Sequence, residues 1–200
     1  VLIYGNSIEA FNLQHLRANV ALVDTTNHFF EGSIRDNFQR VLPNANSSRI
    51  SWACSLAGLD ASMKNLNISL ETKIDDVKKV WNADFQIKLG LARALIRNPK
   101  ILILDDILSQ MDTDSILNFQ DTFDSISKNR TVILISREIH HLSMCKKFMF
   151  FSGPTLSQFG PTLSVLNQAG AAQDLMKKQL RVISPKFEQN YGTLVKSIVS

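Results

Sequence analysis

The run Ile101-Leu102-Ile103-Leu104 ends abruptly on Asp105-Asp106. Four consecutive apolar residues read as a strand of a parallel sheet, buried on both faces. The carboxyl end of such a strand is where α/β proteins handle phosphates, and magnesium takes hard oxygen ligands beside them. Asp105 is therefore a candidate metal ligand. The same two residues serve equally well as a turn cap, because Asp readily accepts backbone hydrogen bonds nearby. Both readings stand on these residues alone.

The surrounding elements decide what those carboxylates can face. Phe85, Leu89, Ala92 and Ile96 recur at helical spacing with Leu91 and Leu95 beside them, and Asn98-Pro99 stops that helix before the strand. Asp112 or Thr113 can cap the next helix, whose buried stripe is Ile116, Phe119, Phe123 and Ile126, with Lys128 and Arg130 at its negative end. Thr131 to Ser136 reads as a second buried strand, followed by a short polar helix around Glu138 to Met144. Phe148–Phe151 and Thr155–Phe159 form a hairpin across Ser152-Gly153-Pro154-Thr155. A further helix is expected over Ser47 to Leu59, in a strand-poor stretch, and Ala171 to Leu180 is helix-like until Ser184-Pro185 interrupts it. Strands alternating with helices predict an α/β domain on a parallel sheet.

Composition agrees. The 200 residues are 44% hydrophobic and 20% charged, with 8 Gly and 5 Pro, which excludes collagen-like, low-complexity and broadly disordered classes. A net charge of +4 without a long basic run gives no footprint for nucleic acid. Cys54 and Cys145 are not spaced as a metal pair and are too few for a disulfide framework, so a reducing compartment is expected. The longest apolar runs are strand-sized, far below the roughly 20 residues that span a bilayer. The chain opens on Val1-Leu2-Ile3-Tyr4, within an expected strand and with no initiator Met, which predicts a fragment.

Leu91-Ala92-Arg93-Ala94-Leu95-Ile96-Arg97-Asn98-Pro99-Lys100-Ile101-Leu102-Ile103-Leu104-Asp105-Asp106, followed by Ser109-Gln110-Met111-Asp112, resembles the stretch from signature helix through Walker B to D-loop in ATP-binding cassette (ABC) proteins. Leu16 to Val23 and Phe30-Glu31-Gly32-Ser33-Ile34-Arg35-Asp36-Asn37 resemble the Q-loop region of exporter-type cassettes. Leu70 to Ile74 and Thr131 to Ser136 resemble the elements before the signature and H-loops. The likeness runs from about Val1 to Gly160. It implies a P-loop NTPase (RecA-like) parallel sheet with an inserted helical subdomain and the N-terminal part of the cassette missing. The implied division is core at 1–37, helical subdomain at 38–97, core again at 98–167 and a tail at 168–200.

Several positions depart from the family pattern. The sequence contains no G-x-x-x-x-G-K-[ST], the motif that cradles phosphates in P-loop proteins. The LSGGQ signature falls on Trp81-Asn82-Ala83-Asp84-Phe85, so Asn82, Ala83 and Asp84 stand where the family binds a γ-phosphate. Asp84 is an excellent helix cap and, for the same electrostatic reason, a poor neighbour for a polyanion. The Q-loop Gln aligns with Thr25 and the H-loop His with Arg137, while His140 and His141 nearby read as solvated helix positions. Asp106 replaces the catalytic Glu with a side chain one methylene shorter, which weakens a general base. Asp112 retains the D-loop acid.

The resemblance implies a nucleotide-binding (ATPase) portion of an exporter, catalytically weak, with ATP and Mg²⁺ as ligands if a Walker A segment lies upstream. It further implies a second cassette as partner, a transmembrane domain on the same or another chain, no nucleic acid, and a place on the cytoplasmic face of a membrane. The other functional reading is a non-enzymatic pseudo-cassette that acts as an interaction or structural module. Without the P-loop strand and its helix, apolar surface is expected along Ile101–Leu104 and Val132–Ile135.

Overall fold

The computed structural model describes residues 1–3, 5–26 and 28–180. Ser184-Pro185 lies outside the described residues. The chain divides into two units, Val1–Ile135 and the part from Ser136 onward.

The first unit opens with the two-residue strands β1 (Leu2–Ile3) and β2 (Asn6–Ser7), which pair antiparallel. Helix α1 (Leu13–Asn19) follows and is capped by Asn12, whose side chain accepts from the backbone of Gln14 and His15. Strands β3 (Val20–Val23), β4 (Ile101–Asp105) and β5 (Thr131–Ile135) form a parallel sheet in that order. Between β3 and β4 lie α2 (Ile34–Val41), α3 (Ser47–Leu56), α4 (Leu59–Asn65), the short α5 (Ile74–Val77) and α6 (Ala83–Leu95). Gly58 joins α3 to α4 at φ +67, a left-handed turn that glycine adopts without steric cost. Helix α7 (Thr113–Ser127) links β4 to β5. The expected parallel α/β architecture with a helical insertion is therefore the one observed.

Helix α6 carries the core. It packs against α2, α3, α4 and β3, and buries Phe85, Ile87, Leu89, Leu91, Ala92 and Leu95. Burial on this scale, at ~1.5–3 kcal/mol per large apolar side chain, outweighs the modest propensity of any one residue. Its apolar surface wraps further round the helix than the stripe read from the sequence, because helices approach it from several sides. Helices α2, α3 and α7 contribute the fully buried Phe38, Ile50 and Phe119.

The sheet differs from its sequence reading. Leu102 and Leu104 of β4 are fully buried, whereas Ile101 and Ile103 are only half-buried, so β4 has one buried face rather than two. Strand β5 is not the buried strand expected: Ile133 and Ile135 are 38% and 47% exposed. In register, Leu22 of β3 lies beside Ile103, and Ile103 beside Ile133. One sheet face is therefore lined by apolar side chains that no described residue covers fully.

In the second unit, a 3₁₀ helix over Ile139–Met144 precedes the hairpin of β6 (Lys147–Ser152) and β7 (Thr155–Pro161). Helices α8 (Thr162–Asn167) and α9 (Ala171–Leu180) follow, with Leu166 and Met176 buried against Phe150 and Leu175. The Gln158 side chain accepts from the backbone N–H of Ala172 at 2.9 Å and so ties the hairpin to α9.

Candidate functional site

Parallel strands in register place their carboxyl ends at one edge of the sheet, and ligands of open α/β sheets bind beyond that edge. Thr25 follows β3 there, half-buried, in a turn where Asp24 Oδ1 accepts from Thr26 N at 2.9 Å and Thr26 Oγ1 at 2.7 Å. Asp105 closes β4 opposite Ile135 of β5. The Asp105 carboxylate is exposed and has no hydrogen-bond or ion-pair partner among the described residues.

Asp106 takes the left-handed conformation, φ 52 and ψ 22, and turns the chain into a 3₁₀ segment. Asp tolerates this region better than most side chains, at a cost of roughly 1–2 kcal/mol. Its N–H donates to the Ile135 carbonyl at 2.9 Å, and its carbonyl accepts from Ser109 Oγ at 2.7 Å. The turn is thus held by backbone groups on both sides. Asp112 caps α7, its Oδ1 accepting from Ser115 N at 2.8 Å, and that hydrogen bond holds its carboxyl below the ordinary Asp range.

The start of α6 is built differently. The cap there is Asn82, whose Oδ1 accepts from Phe85 N at 2.9 Å. Asp84, read from the sequence as the cap, instead forms an ion pair with Lys88 one turn on, at 2.7 Å, with the two side chains only 13% and 14% exposed. Its second oxygen, Oδ1, is buried without a hydrogen-bond partner. An Asp carboxylate needs an i+4 cation to be buried beside a helix start, and the Asp84–Lys88 spacing supplies one. That spacing was visible in the sequence and is the signal that would have found Lys88. Ala83 is half-buried and contributes backbone only.

Nearby, Phe29 packs on Trp81 with ring centroids 5.5 Å apart, and the Arg93 guanidinium lies 4.6 Å above the Phe29 ring. Hydrophobic spacing could not reveal this contact, because the partners are far apart in the chain.

Arg137 and the histidines fall in the second unit. Arg137 is exposed, and its carbonyl accepts from Gln179 Nε2 at 2.9 Å. His141 is buried, 1% exposed, rather than a solvated helix position. Its Nδ1 lies 3.1 Å from Ser136 Oγ and its Nε2 3.7 Å from Glu138 Oε2, and α8 and α9 pack on the 3₁₀ segment that carries it. The side chain of His140 lies outside the described residues. Cys54 is buried and Cys145 half-buried, and loss of solvent pushes the Cys54 pKa to about 12 and that of Cys145 to about 11. Neither is a nucleophile in this state.

The residues present fit magnesium at one point. Asp105 offers a hard oxygen ligand, which suffices where phosphates complete the shell. No group of three His, Cys, Asp or Glu side chains able to hold a metal occurs among the described residues. The α6 start does not fit a phosphate, because a buried carboxylate already holds its local cation.

A parallel sheet with a helical insertion between its first two strands is the fold of an ABC exporter cassette. The fold matches a bacterial Atm1-family ABC exporter with ATP bound, at a TM-score of 0.79 and 22% identity over 90% of this chain and 32% of that one. P-glycoprotein 14 of Caenorhabditis elegans is 28% identical over 175 residues, 88% of this chain and 13% of that protein. Multidrug resistance protein homolog 65 of Drosophila melanogaster is 29% identical over 88% of this chain and 14% of its own length. The ATP-dependent lipid A-core flippase of Photorhabdus laumondii is 26% identical over 90% of this chain and 31% of that protein. No protein-family model matches the chain. Its homologues are thus ABC transporters of the exporter type, and the matched stretch fits part of their cassette. The chain spans less than a third of the length of each of these relatives. No helix among the described residues is long and apolar enough to cross a membrane.

Proposed function

We propose that the chain is a nucleotide-binding portion of an ABC-type exporter, a catalytically weak half that couples ATP binding to transport beside a second cassette. In this reading a transmembrane domain lies on the same or a partner chain, and the cassette sits on the cytoplasmic side. The observation that carries it is the exposed, unpaired Asp105 carboxylate closing the middle strand at the ligand-binding edge of the sheet. Bound Mg²⁺–ATP would supply the phosphoanhydride whose cleavage drives such machines. Asp105 would hold the metal. Asp106 would act as a shortened general base, and Thr25, Asp112 and Arg137 would stand at the Q-loop, D-loop and H-loop positions. A base one methylene too short loses hydrogen-bond reach to its water, so binding outlasts hydrolysis. The test is labelled ATP and the full-length protein with and without magnesium. Magnesium-dependent binding at millimolar nucleotide is expected, and its absence overturns the reading.

A second reading, a non-enzymatic pseudo-cassette used as an interaction module, is favoured by the Asp84–Lys88 pair, which occupies the signature position internally. Capture of an intact cassette protein without any nucleotide would support it, whereas ATP-dependent dimerisation would remove it.

A further inference from the structure

Strand β3 is an edge strand: among the described residues it pairs only with β4. Its residues Val20, Ala21 and Leu22 line a cleft of about 230 Å³, at whose start the Val20 N–H donates to the Leu16 carbonyl of α1. Arg17 reaches this cleft from the last turn of α1, Arg93 from the last turn of α6, and Arg97 from the turn that follows α6. No acidic residue lines it.

The guanidiniums of Arg93 and Arg97 are positioned by backbone rather than by carboxylates. Arg93 donates to the His28 carbonyl and lies over the Phe29 ring, and Arg97 Nε donates to the Val41 carbonyl at 2.7 Å. Asp24 acts on Arg93 from a distance, while burial lowers its pKa. None of the three arginines forms an ion pair among the described residues.

Arg17 and Arg93 singly suit the negative ends of α1 and α6. That does not explain a third cation, Arg97, converging on the same cleft from beyond the end of α6. The cleft is smaller than the ~300–1,000 Å³ of small-molecule pockets, and it is partly apolar through Val41, Pro99 and Leu22. The arginines alone would serve a free anion as well as a carboxylate carried on a chain. An open strand edge, by contrast, offers a row of backbone donors and acceptors to another chain.

We propose that this cleft docks an extended, acidic segment of a partner polypeptide, its backbone pairing with the free edge of β3 and its carboxylates meeting Arg17, Arg93 and Arg97. The charge fixes register and partner choice, and the edge supplies the main-chain hydrogen bonds. No nucleotide takes part, so the proposal stands or falls separately from the ATP reading.

Fluorescence anisotropy of the full-length protein with a short labelled peptide of alternating Glu and Val tests it, beside the same peptide with Gln for Glu. The acidic peptide is expected to bind at least about tenfold more tightly than its Gln counterpart, with an affinity that falls as salt rises. Arg17→Glu, at an exposed residue that holds no other side chain, is expected to weaken it at least about tenfold, and Arg97→Gln less. Equal binding of both peptides, or binding of neither, overturns the proposal. So does displacement of the peptide by inorganic phosphate or by phosphatidylserine vesicles, which would mark a free-anion or lipid site. An Arg17→Glu protein that binds like the parent also overturns it.

Discussion

The end of β4 and the start of α6 both present an acid where a nucleotide machine would meet phosphate, yet the structure treats the two acids in opposite ways. Asp105 is left exposed and unpaired at the sheet edge, with the following turn locked by backbone hydrogen bonds through Asp106. Asp84 is drawn in, buried and neutralised by Lys88. A carboxylate kept in water without a partner costs the fold little and remains available to a cation. One withdrawn into the protein has its charge compensated from within and repels any further anion. The contrast teaches that the same residue type, at the ends of two well-formed elements, is open at one place and closed at the other.

The largest effect should come from cutting the closed end. Lys88→Ala leaves Asp84 buried with neither oxygen paired, and should lower unfolding stability by about 1.5–3 kcal/mol, the range for hydrogen bonds to charged groups. A urea denaturation midpoint measures this. A loss of only ~0.3–0.5 kcal/mol, as for exposed i,i+4 pairs, would make Asp84 an ordinary surface acid and erase the contrast.

Next come the two helix caps near these sites. Asn82→Ala and Asp112→Ala should each cost about 1 kcal/mol, because each removes one acceptor from a helix start. They should separate in acid. The folded pKa of Asp112 is lowered, so its contribution is fully present above the unfolded value near 3.9 and fades as pH falls through the lower folded value. The Asn82 cap has no proton to bind. As pH falls from about 4 through the lower folded value, the parent and Asp112→Ala proteins should therefore converge in stability, while Asn82→Ala keeps its deficit. Parallel pH curves for both variants would contradict the assignment of Asp112 as a charged cap.

The smallest effect on folding should fall at the open end. Asp105→Asn should change stability by no more than ~0.5 kcal/mol, as for a surface position without partners. In the full-length protein it should still reduce the magnesium dependence of ATP binding. A large folding loss would show that Asp105 is structural, and the sheet-edge carboxylate would lose its role.

Much of the architecture was legible along the chain. Helix α6, strands β4 and β5, the hairpin of β6 and β7, and α9 follow from apolar spacing, from Asn98-Pro99 and from the turn at Ser152 to Thr155, since these are local signals. Burial was not local. Whether Ile103 or Ile133 faces protein or water depends on what else packs on that face of the sheet, and a continuous apolar run reads the same either way. His141 shows the converse: a polar residue in a polar stretch is buried within a segment on which α8 and α9 pack, with Ser136 Oγ beside its ring.

At the candidate site, the sequence by itself determined which acids exist and on which elements they stand. Asp105 and Asp106 had to close a strand, and Asp112 had to begin a helix, because apolar runs and capping chemistry are set by neighbours in the chain. Only the tertiary structure decided what each acid's charge does. Desolvation and pairing depend on what surrounds a side chain in space: helices packed around α6 bury Asp84 against Lys88, whereas nothing described covers the end of β4, and Asp105 stays in water.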